Sequence, residues 1–104
     1  ELAAKDLITP EKVVEKMCHL PADIFRVEKR GYIREGYFAD LVLLEPDKSW
    51  EVSKNNILYK CGWSPMEGQC FSTKINSTII NGKVVFKEGV FSEKPNSMAM
   101  SFAR

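Results

Sequence analysis

Residues 31–45 (GYIREGYFADLVLLE) constrain the fold of this chain more than any other stretch, because they run from a glycine-marked turn straight into an apolar strand. Gly36 falls where the chain must reverse between Ile33 and Leu41, a position that calls for a positive φ, cheap for glycine and costly for other residues. Leu41, Val42, Leu43 and Leu44 then form a continuous apolar run bounded by Asp40 and Glu45. Such a short bounded run predicts a strand buried on both faces. Taken alone, it fits a hairpin in any small β-domain.

Upstream, the pattern is helical. Thr9 can cap orphan amides, Pro10 suits the first helical position and Glu11 complements the positive end of the helix. The spacing predicts a helix from Pro10 to about His19, with Val13, Val14, Met17 and Cys18 on one apolar face and Glu11, Lys12, Glu15 and Lys16 toward water. Pro21 is expected to end it and to open a second short helix through Ala22, Asp23, Ile24 and Phe25.

Downstream, the pattern is that of sheet. Trp50 and Val52 alternate with Glu51, which predicts a short strand with one wet face. Asn55 and Asn56 break it. The segment from Lys60 to Gly68, with two glycines and a proline, reads as a shaped loop. Ile75 to Ile80 is rich in β-branched residues and runs into Asn81-Gly82, a strong hairpin signal because both central residues of a type I′ turn need positive φ. Lys83 to Phe86 is the returning strand. Glu88-Gly89 predicts another turn, where Gly89→Val should be milder than Gly82→Val if that turn is the looser, followed by a short strand at Val90 and Phe91. Residues 92–104 read as a polar tail.

Fifteen Lys plus Arg against 14 Asp plus Glu give no electrostatic case for a nucleic-acid or anionic-membrane partner. No apolar run approaches the ~20 residues of a membrane helix, and the N-terminus lacks the features of a signal peptide. A cytoplasmic protein is expected. Cys18, Cys61 and Cys70 have no CxxC spacing and predict free thiols rather than a disulfide framework or a zinc ribbon. The opening at Glu1, without methionine, suggests processing or excision from a longer polypeptide.

The search for chemistry returns little. A metal site needs three or more converging His, Cys or carboxylate ligands, and the chain has one histidine. His19 is expected at a helix C-terminus, where its charge would complement the dipole. A Cys/His nucleophile pair is disfavoured for Cys18 and His19, which point about 100° apart on a helix, and Cys61 with His19 has no supporting pattern. Gly62 and Gly68 lack the Lys-Ser/Thr of a phosphate loop. Asn76-Ser77-Thr78 matches a glycosylation acceptor, but inside a predicted strand it reads as chance.

The chain resembles the amidohydrolase superfamily at Pro21-Ala22 and at the Gly-x-Ile-x-x-Gly-x-x-Ala-Asp-Leu-Val-Leu pattern formed by Gly31, Ile33, Gly36, Ala39, Asp40, Leu41, Val42 and Leu43. Lys16 to His19, Tyr59 to Pro65 and Glu67-Gly68 are most similar to the dihydroorotases of its cyclic-amidohydrolase group. The resemblance spans roughly Thr9 to Arg104 and implies an α+β fragment. Residues 1–30 would end the outer helical ring of a TIM barrel. Residues 31–91 would give an antiparallel-rich region of about five strands, part of a composite β-sandwich accessory domain, and residues 92–104 its tail.

In that family a His-x-His pair, a carboxylated lysine, further histidines and a catalytic aspartate hold the metals and perform the hydrolysis. All would lie upstream of Glu1. The resemblance therefore implies no catalytic, cofactor-binding or metal residue in this chain, with zinc expected in the full-length enzyme. Its implied partners are the upstream barrel and an N-terminal β-segment of the same polypeptide, with self-association of the piece when excised. Allantoinase or hydantoinase is the neighbouring reading within the enzyme class. A stand-alone interaction module using the Trp63 loop is the reading outside it.

Overall fold

Helix formation begins where the capping chemistry places it. In the computed structural model, which describes residues 5–104, the Lys12 N–H donates to Thr9 Oγ1 at 3.2 Å and Pro10 opens helix α1, Pro10–Val14. The stretch does not stop at Pro21 as expected. It passes through a π-helical turn, Glu15–His19, into α2, Leu20–Ile24.

Proline has no N–H to donate, and its ring crowds the carbonyl four residues back. The wider turn before it, in which the Leu20 N–H reaches the Glu15 carbonyl, makes room for that ring. His19 therefore lies inside a continuous helical stretch, not at a C-terminus. The expected apolar face is also uncovered, since Val14 and Met17 are exposed and so is Cys18. Among the described residues, no other element packs across it closely enough to bury it.

Six strands follow: β1 Leu41–Glu45, β2 Trp50–Glu51, β3 Cys70–Phe71, β4 Lys74–Ile80, β5 Lys83–Lys87 and β6 Val90–Phe91. One antiparallel sheet runs β1-β4-β5-β6, and β2 pairs with β3 in a second, two-stranded ribbon. β1 is an edge strand, not one buried on both faces: Val42, Leu43 and Leu44 are all at least half exposed. β3 was not legible in the sequence, being two residues that find their partner across the loop at 52–69. A bulge after Leu43 and another after Thr78 interrupt the pairing on either side of β4.

Both hairpin turns are of one kind. Asn81 and Gly82 have φ 50° and 80°, and Glu88 and Gly89 have φ 49° and 86°, so the second turn is no looser than the first. A Cβ added at either glycine meets nothing within 4 Å, leaving backbone strain as the whole penalty. Gly82→Val and Gly89→Val are thus expected to cost about the same, roughly 1–3 kcal/mol each. Denaturant melts of the two variants check this. A Gly82→Val melt superimposable on wild type would remove the type I′ turn.

Residues 92–104 are no free tail either. The Glu28 N–H donates to the Ser101 carbonyl at 2.9 Å, the Ala103 N–H to the Arg26 carbonyl at 2.8 Å, and Val27 bridges Phe102. The polar composition was misleading because main-chain bonds, not side chains, make this attachment.

Among the described apolar residues only Ala22 and Val52 are buried. The chain exposes 8544 Å², whereas a folded monomer of its mass is expected to expose about 5,900 Å². Its radius of gyration, 15.7 Å, exceeds the ~13 Å of a self-contained domain of this length. The elements are formed, but much of the surface that should hold them together has no partner among the described residues.

Candidate functional site

The most connected polar cluster is built on Arg30, which follows α2 and is buried. Its Nη1 pairs with the Asp40 carboxylate, its Nη2 donates to Asn81 Oδ1 at 3.1 Å, and its guanidinium lies over the Phe38 ring at 4.5 Å. The other Asp40 oxygen accepts the Asn81 N–H at 2.9 Å. Asn81 Nδ2 in turn donates to the Asn96 carbonyl at 2.7 Å, and Asn96 Nδ2 to the Ile80 carbonyl at 3.0 Å.

The cluster thereby ties the end of the helical segment, the entry to β1, the β4–β5 turn and the C-terminal stretch to one point. Both Asp40 oxygens are engaged by neighbours, which leaves the carboxylate poorly placed to act as a general base. This arrangement clasps the structure. Sequence reading missed it because Arg30, Asp40, Asn81 and Asn96 follow no local periodicity. Asp40 within Ala-Asp-Leu and Asn81 in the turn were the available signals.

A second cluster joins the helix to the turn before β1. The His19 ring stacks on Tyr32 with centroids 4.1 Å apart and planes 5° from parallel, and Arg34 lies 4.1 Å from the Tyr32 centroid. The Tyr32 hydroxyl donates to Asp23 Oδ2 at 2.7 Å. That hydrogen bond, then desolvation and the Asp23 charge, raise the phenol above its ordinary value of 10.0.

A raised value means that the folded form keeps its proton where the unfolded form would lose it. Its stabilisation is complete below pH 10.0 and disappears as pH rises through the folded value. Asp23→Ala should lower the Tyr32 titration midpoint, followed by ultraviolet absorbance in a background where Tyr37 and Tyr59 are phenylalanine. An unmoved midpoint would remove Asp23 as the cause.

The structure does not assemble the other candidates. Cys18, Cys61 and Cys70 are free and exposed. Cys61 Sγ contacts the Trp63 carbonyl at 3.7 Å, while the ring contact of His19 is with Tyr32. In the 60–68 loop, Gly68 donates its N–H to the Val52 carbonyl at 2.8 Å, which ties the loop to the end of β2. Asn76-Ser77-Thr78 lies in β4 with Ser77 buried and donating to Asn76 Oδ1 at 2.6 Å. Among the described residues, no group of three or more His, Cys, Asp or Glu side chains could hold a metal ion. No described helix is long and apolar enough to cross a membrane.

Comparison with known proteins places this architecture. The family model described as the amidohydrolase family matches residues 1–85. The chain belongs to the amidohydrolase family. Among its amidohydrolase relatives, the dihydroorotase of Pyrococcus furiosus is 37% identical over 91 residues, which is 88% of this chain and 22% of that protein. The dihydroorotase of Thermococcus kodakarensis is 31% identical over 100 residues, 96% of this chain and 24% of that one.

The solved L-hydantoinase (dihydropyrimidinase) from Arthrobacter aurescens superimposes with a TM-score of 0.77 at 28% identity, over 86% of this chain and 20% of its own. The chain thus spans between a fifth and a quarter of the length of the relatives it matches. The amidohydrolase segment described here is a short helical stretch followed by antiparallel strands.

Proposed function

We propose that this amidohydrolase segment is the C-terminal portion of a cytoplasmic dihydroorotase, which interconverts dihydroorotate and N-carbamoyl-aspartate in pyrimidine biosynthesis. The 37% identity to a dihydroorotase across 88% of the chain carries the reading. The segment's own role is structural. Residues 1–30 close the helical ring of the barrel, residues 31–91 supply strands to a composite β-sandwich, and residues 92–104 strap the two together. Its partners are the barrel and an N-terminal β-segment of the same polypeptide.

The accessible area in excess of a self-contained domain supports such a division, since surface left open here is surface for the remainder to cover. Zinc is expected in the whole enzyme, where it would polarise the scissile carbonyl and activate water. The described residues do not fit a zinc site, having no converging ligand set. No step of the hydrolysis is therefore assigned to them. A hydantoinase is the second reading, favoured by the structural likeness at a TM-score of 0.77 but at the lower identity of 28%.

Turnover by the polypeptide that carries this segment separates the two. Faster ring opening of dihydroorotate than of hydantoin is expected, and the reverse preference would replace the first reading by the second. The segment alone is expected to show neither turnover nor stoichiometric zinc by elemental analysis. Finding both together would overturn its structural role.

A further inference from the structure

The β2–β3 ribbon and the loop between its strands form an open cup of about 450 Å³, lined chiefly by Trp50, Val52, Ile57, Tyr59, Met66 and Phe71. Its size is that of a small-ligand pocket, but such pockets also present a few uncommitted polar groups that fix an orientation. Here most of the polar groups are already engaged, the Tyr59 hydroxyl excepted. Trp50 Nε1 donates to the Thr73 carbonyl at 2.8 Å, Asn56 Nδ2 to the Glu51 carbonyl at 2.7 Å, and the Ser53 N–H to Asn56 Oδ1 at 3.0 Å. Ser64 Oγ accepts the Met66 N–H at 3.1 Å. What remains is aromatic and aliphatic wall with that single hydroxyl, which suits an apolar side chain better than a polar metabolite needing several fixed contacts.

We propose that the cup is a socket for an apolar side chain from a segment of the same polypeptide outside residues 1–104. The proposal rests on the reading of this chain as part of a longer amidohydrolase and names the surface through which it joins the remainder. Two observations choose that occupant. The relatives matched are four to five times as long as the part this chain covers, so a covering segment is available in the same molecule at high effective concentration. The excess accessible area, about 2,600 Å² over a self-contained monomer, also exceeds the ~1,600 Å² of a standard interface between separate proteins. That is the scale of a core divided between segments.

The test uses the full polypeptide with Trp63→Phe, which leaves Trp50 as the reporter within this segment, and subtracts the signal of a matched Trp50→Phe variant. Acrylamide quenching of Trp50 is expected to be severalfold weaker in the full polypeptide than in the 104-residue chain. Met66→Asp in the full polypeptide should restore quenching while circular dichroism shows the remainder folded. Equal quenching in the two forms would overturn the proposal. Shielding in the short chain that grows with its concentration would also overturn it, assigning the cup to a second copy. The readout is independent of substrate, so a failure of the dihydroorotase assay with Trp50 shielded would reject the activity and keep the socket.

Discussion

Gly31→Ala is expected to destabilise the structure by about 3–5 kcal/mol, the sum of a strained backbone and an overfilled contact. Gly31 has φ +84°, a conformation that residues with a Cβ rarely adopt. A Cβ built there would lie 2.4 Å from the Cβ of Ala22 and 2.8 Å from the Cys18 carbonyl oxygen. Neither neighbour is the end of a flexible side chain, and Ala22 is one of the two buried apolar residues described. Relief would require the helical stretch to move off the turn that leads to β1. Gly36, at φ +81° with no atom within 4 Å of an added Cβ, isolates the strain term. Gly36→Ala should therefore cost no more than about 1–3 kcal/mol in the same denaturant melts. Equal losses at the two sites would show that the close approach to Ala22 contributes nothing.

Asp40→Ala should cost about 3 kcal/mol, because it leaves the buried Arg30 guanidinium without its counter-charge and the Asn81 N–H without its acceptor. The figure sits at the low end for a broken ion pair because the Asp40 side chain is 34% exposed, so water can replace part of what is lost. Replacing both partners, Arg30→Met with Asp40→Leu, should recover most of the stability, since no buried charge is then left alone. A double-mutant cycle by chemical denaturation checks this. Additive losses would mean that the pair is not coupled, and the clasp would reduce to its neutral hydrogen bonds.

Legibility in the sequence followed the range of the interactions. The Thr9 cap, the turn at Gly36 and the Asn81-Gly82 hairpin were legible because each is decided within a few residues by φ and by a single hydrogen bond. Pro21 was misread because the accommodating turn lies in the preceding residues, whose composition does not announce a π-helix. The Leu41–Leu44 run was misread as a strand buried on both faces, because an apolar run alone does not say whether a neighbour covers it, and here β1 stands at an edge with Val42, Leu43 and Leu44 at least half exposed. The Arg30–Asp40–Asn81–Asn96 clasp was invisible because its members meet only after the sheet has formed. The resemblance carried by Pro21-Ala22 and Ala39-Asp40 led to the family that the 1–85 match establishes.

The bridge between Val27 and Phe102 orders events as well as residues. A ribosome extending the chain at about 5–20 residues per second releases Val27 seconds before Phe102 exists. Through that interval the helical stretch has no strap, and its last turn can be held only by contacts nearer in sequence, such as Tyr32 on His19. The end of the helical stretch is thus fastened only once Phe102 has been made, and a nascent chain stalled before Ser101 would leave that end open to chaperones and proteases.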